Sequence, residues 1–75
     1  MSIPPFTPDE PLEPETLANM GRAYLEACRD LGVRTREDPL ARSVARHIVT
    51  LAKRGVHTKT ALYLMTVRKF TANPQ

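Results

Sequence analysis

Two Gly-Val pairs, Gly32-Val33 and Gly55-Val56, constrain this sequence more than any other feature. Glycine enters the left-handed conformation that closes a helix without a Cβ penalty, and an apolar residue one place later contacts the last turn from outside. Each pair follows apolar residues at three- and four-residue spacing, the pattern of one helix face. The pairs therefore predict two helix ends, and the segments around them predict three helices. The two junctions lie 23 residues apart. They are read as one cap chemistry used twice, because a stacked repeat needs at least three units.

The first helix is expected over residues 14–31, with Leu17, Met20, Tyr24, Ala27 or Cys28, and Leu31 as its buried stripe and Arg22, Glu26, Arg29 and Asp30 opposite. Gly21 lies inside it at some cost in helix propensity. The second is expected over 38–54: Asp38 is an N-cap, Pro39 suits the first helical position, and Leu40, Val44, Ile48 and Leu51 form the stripe. The third is expected over 58–70, with Thr58 as N-cap and Asn73-Pro74 closing the chain. The fold class is all-α, three short helices in a small bundle or a helix-turn-helix-like arrangement.

Five of the seven prolines fall in residues 1–14. Each removes an amide donor and pushes its predecessor out of the α region. Residues 1–13 are therefore expected to be a proline-rich, acidic, disordered tail, and residues 14–75 a single helical domain. Thr7-Pro8-Asp9-Glu10 has the form of a helix start, but Pro11 and Pro14 limit it to one turn.

The 75 residues allow one domain. After the tail, about 60 remain, and a body of that size buries only roughly 60% of its unfolded surface. Cys28 is the single cysteine, so no internal disulfide supports it. His47 and His57 are ten residues apart with no partner set for a metal. Self-association, a partner chain or close helix packing must supply the rest. No segment is long enough to span a membrane, and the start lacks the basic and apolar regions of a secretory signal. These features point to a cytoplasmic protein with no cofactor and no membrane partner. Neither Ser2 nor Ser43 has a partnered histidine and aspartate at a recognisable spacing, so no catalytic residue is assigned and an enzyme is not expected.

Charge separates along the chain. Residues 1–20 carry −4 and residues 21–75 carry +7, together the net +3. An acidic segment of this kind solubilises a basic body, or lies over it and competes with an anionic partner. On the second helix, Arg42, Arg46 and Lys53 fall within about 40° of one another opposite the stripe, and Arg54 lies further round near His47 and Thr50.

The run Ala27-Cys28-Arg29-Asp30-Leu31-Gly32, followed by Ala45-Arg46-His47-Ile48-Val49-Thr50-Leu51-Ala52-Lys53-Arg54-Gly55, resembles a group of short bacterial proteins. Those chains pair an "EACRxLG" helix end with an "ARxIxxLAxRG" helix. The likeness covers roughly residues 23–55 and implies a compact helical fold without a known activity. It carries over no functional residues. Val56-His57-Thr58-Lys59 departs from the acidic, proline-containing segment common in that group.

The third helix is the strongest oddity. Ala61, Leu62 and Met65 occupy one sector, and Tyr63, Leu64, Val67 and Phe70 another, with Thr66, Arg68 and Lys69 between. A helix apolar almost all round expects burial almost all round. Two neighbours cannot provide it completely, so either the helix sits centrally and the others clasp it, or, as favoured in so small a domain, one sector faces another chain. The leading expectation is a protein–protein interaction module, self-associating as a homodimer through Leu62, Leu64, Met65, Val67 and Phe70. The alternative is a small nucleic-acid-binding protein using Arg42, Arg46, Lys53, Arg54, Lys59, Arg68 and Lys69, its second and third helices forming the helix-turn-helix-like pair.

Overall fold

The computed structural model describes residues 12–71. The single turn at Thr7–Glu10, nearly all of the expected tail, and the closing Asn73-Pro74 lie outside those residues. Three helices are present: α1 (Pro14–Asp30), α2 (Pro39–Lys53) and α3 (Lys59–Thr71). The all-α, three-helix expectation holds, with every end within one residue of its predicted place.

The ends form where local chemistry dictates. Before α1, Glu13 is extended, and its carbonyl accepts the Leu17 amide at 3.0 Å. Pro14 at the first helical position gives up an amide that had no partner there anyway. At the other end, Gly32 adopts φ +78°. The Val33 amide donates to the Cys28 carbonyl at 2.8 Å and the Gly32 amide to the Arg29 carbonyl at 3.2 Å. This is a complete Schellman closure. α2 repeats it with Gly55 at φ +104°: Val56 donates to Leu51 at 3.0 Å and Gly55 to Ala52 at 3.1 Å. Both valines pack against the core.

α2 and α3 start on side-chain caps. The Asp38 carboxylate accepts the Leu40 amide at 2.8 Å, and the Thr58 hydroxyl accepts the Ala61 amide at 3.2 Å. Asp38→Ala leaves that amide without its partner and is expected to cost about 1 kcal/mol, whereas Asp38→Asn keeps most of it. Urea denaturation followed by circular dichroism measures both.

α1 is the central element. Its Asn19–Glu26–Asp30 edge meets α3 and the link before it. Asn19 donates to the His57 carbonyl at 3.0 Å, Lys59 pairs with Glu26 at 2.9 Å, and the Tyr63 hydroxyl donates to the Asp30 carboxylate. Its Met20–Tyr24 edge meets Ala45 and Ile48 of α2. The core runs between these edges through Ala23, Ala27, Cys28, Val44, Ile48, Leu51 and Leu62. Small side chains at Ala23 and Ala27 suit a helix that must pack on two sides at once.

Two expectations change. Leu17 does not join the stripe of α1; it is 52% exposed, while Thr16 is buried. Packing on two neighbours centres the buried arc between them and turns Leu17 outward. In α3, the two expected sectors do not survive. Leu62 and Thr66, four residues apart, form the buried line and are both fully enclosed. Leu62 therefore belongs to the core, not to an outward interface. Tyr63, Val67 and Phe70 are half-buried against the core, which leaves Leu64 and Met65 as the exposed large apolar side chains of α3.

Candidate interaction surface

The most exposed large apolar side chain in the described residues is Leu25, on α1. With Leu17 and Gly21 it forms a row at four-residue spacing, which places all three on one helix face. Alongside this row runs an apolar crevice of about 220 Å³ between α1 and α2, whose walls include Met20 and Tyr24 on one side and Ala45 and Val49 on the other. Val49 is itself exposed. Gly21 and Tyr24 also line a broader, open groove of about 1040 Å³ that continues along α1 to the link before α2. Its floor is apolar, with Ala18, Leu25, Cys28 and Val33, and its rim carries Arg22, Arg29, Arg34 and Arg36.

Gly21 sits where the two depressions meet. A Cβ built there would find no atom within 4 Å, so nothing among the described residues requires a glycine. An internal helical glycine still costs up to about 1 kcal/mol relative to alanine.

The basic residues picked out from sequence do not form one patch. Arg42, Arg46 and Lys53 are exposed on the edge of α2, each within one turn of Ala45 or Val49. Arg54 and Lys69 lie close enough to His47 to act on it electrostatically. Lys59 is committed to Glu26, and Arg68 is exposed on α3. At the start of α3, Lys59 and Tyr63 are tied to the α1 acids, while Thr58 and Thr60 are exposed. Four arginines that sequence reasoning did not single out, at 22, 29, 34 and 36, complete the groove. The readable signals were Gly21 in mid-helix and leucines four residues to either side of it.

Two titratable groups have physical explanations. Burial pushes the Cys28 thiol up, so it stays protonated at the groove floor, and its hydrogen bond with Tyr24 opposes this only in part. His47 packs edge-on to Phe70, ring centroids 5.9 Å apart. Burial, then Lys69 and Arg54, holds it below the ordinary imidazole value. The folded state thus resists a proton that the unfolded state accepts. This contribution to stability is full above a pH of about 6.5 and is lost as pH falls below it. Thermal unfolding is expected to shift to lower temperature on acidification through that range, and His47→Gln should flatten the dependence.

Among the described residues, no cluster of three His, Cys, Asp or Glu could hold a metal ion, and no helix is long and apolar enough to cross a membrane. Comparison with protein-family models, curated proteins and solved structures finds no match.

Proposed function

We propose that this protein is a protein–protein interaction module whose docking surface is the α1–α2 groove. The observation that carries the reading is the exposed row Leu17, Gly21, Leu25, which meets an apolar crevice at Gly21, where Val49 is also exposed. Contiguous exposed apolar surface on a small body marks a contact site. A segment of a partner laid in the crevice would cover side chains that the three helices leave open, and would add the burial that a chain of this size lacks.

Self-association through the outward face of α3 is the second reading, supported by exposed Leu64 and Met65. Two side chains fall well short of the roughly 800 Å² per partner of a standard interface. The test is sedimentation velocity from micromolar to millimolar concentration, combined with amide NMR during titration with an uncharged amphipathic helical peptide. The groove reading expects a monomer, with peptide-induced shifts at Gly21, Leu25 and Val49. A dimer whose dilution shifts Leu64 and Met65, with no peptide response at the groove, would overturn it in favour of α3.

A further inference from the structure

We infer that the occupant of the α1–α2 groove is an acidic amphipathic segment of a partner protein. The inference rests on the groove reading above and adds the chemistry of what the groove takes. Its first support is charge placement. Arg22, Arg29, Arg34 and Arg36 edge the apolar floor on the α1 side. Arg42, Arg46 and Lys53 are exposed on α2 within one turn of Ala45 or Val49, which wall the adjoining crevice. An apolar floor edged by four arginines matches a segment with leucine-like side chains on one face and carboxylates beside them.

The rim charges also have no carboxylate partner among the described residues. Among the described residues the salt bridge formed is Lys59–Glu26, and none of these seven cations has a carboxylate within 4.0 Å. Their arginines present planar donor forks that suit carboxylates in paired geometry. Gly21 supplies the third support. It leaves bare backbone where the two depressions meet, at a cost in helix stability, and no contact among the described residues accounts for it.

The same charges argue against other occupants. A second copy docked on this face would bring basic rims against basic rims, and like charges at an interface oppose association. A nucleic-acid backbone would satisfy the arginines but would lie against Leu17, Leu25 and Val49, where phosphates gain nothing and lose water. The four arginines that line the groove share it with that apolar floor.

The test uses the full chain and three synthetic peptides with one shared leucine face and polar faces of glutamate, glutamine or lysine. Fluorescence anisotropy measures affinity, and amide NMR locates the contact. The acidic peptide is expected to bind at least about tenfold tighter than the neutral one, an advantage of roughly 1.4 kcal/mol. That advantage should shrink as salt rises toward molar concentration. The variant R22E/R29E/R36E should abolish it and bring on binding of the lysine peptide. Its helical circular dichroism, together with retained binding of the neutral peptide, shows that it folds.

Equal affinity for the acidic and neutral peptides overturns the acidic occupant and leaves the groove reading intact. Absence of shifts with any peptide up to millimolar concentration overturns both. Duplex DNA that displaces the acidic peptide and shifts the same amides more strongly overturns a protein partner. Shifts at Gly21 and Leu25 on replacing Asp9 and Glu10 by amides, with no peptide present, would make the chain's own acidic segment the occupant and overturn a separate partner.

Discussion

Replacing Leu62 by alanine is expected to cost roughly 2–5 kcal/mol, the range for deleting a buried leucine side chain. At about 0.05–0.15 kcal/mol per residue, a chain of 75 residues has roughly 4–11 kcal/mol in total. The loss is therefore a large share of all the stability there is. Leu62 is fully enclosed and is the apolar contribution of α3 to the buried core cluster. Truncating it removes the anchor by which α3 holds to α1 and α2. Leu64, two residues on, is 49% exposed, and Leu64→Ala should change stability by no more than about 0.5 kcal/mol. Urea midpoints by circular dichroism separate the pair, with an unchanged slope showing that both variants unfold from the same compact state. If Leu64→Ala proves as costly as Leu62→Ala, a second chain covers Leu64, and self-association through α3 becomes the better reading.

The contrast between these leucines shows what sequence alone made legible. Helix ends were readable because caps are local: Asp38-Pro39, Thr58 and the two Gly-Val pairs each act within one turn of chain. The rotation of a helix about its own axis is not local. It depends on which neighbours pack and where, and α3 offered two apolar sectors with no strong preference between them. The structure resolves this by turning Leu62 and Thr66 toward the core, which puts an apparently polar position inside and Leu64 outside. Leu17 was misplaced for a related reason, since α1 serves two neighbours and its buried arc lies between them. The groove was harder still. The broad part is walled by residues 18–36, and the crevice beside it exists only because α1 packs on α2. Gly21 was seen in the sequence as a cost. Its meaning depended on the open space around it.

Thr66→Val is expected to stabilise the protein, by roughly 1–2 kcal/mol, because the hydroxyl it removes is buried without a partner. Thr66 is fully enclosed, and its Oγ1 has no hydrogen bond among the described residues. In the same helix Thr71 shows the usual solution, its hydroxyl donating to the Val67 carbonyl four residues back at 2.7 Å. Thr66 does not make the equivalent bond to Leu62. Valine keeps the branched shape and has a helix propensity close to that of threonine, so the backbone term nearly cancels. What remains is the desolvation cost of one polar group, and each kcal/mol recovered should raise the melting temperature by about 4–8 °C in a domain of this size. Thr66→Ser is the paired control: it keeps the unpartnered hydroxyl and removes the methyl that fills the site, so it should destabilise. Destabilisation by Thr66→Val as well would mean that the hydroxyl is hydrogen-bonded in solution. The α1–α3 contact would then owe part of its hold to a polar bond, and not to Leu62 and its apolar neighbours alone.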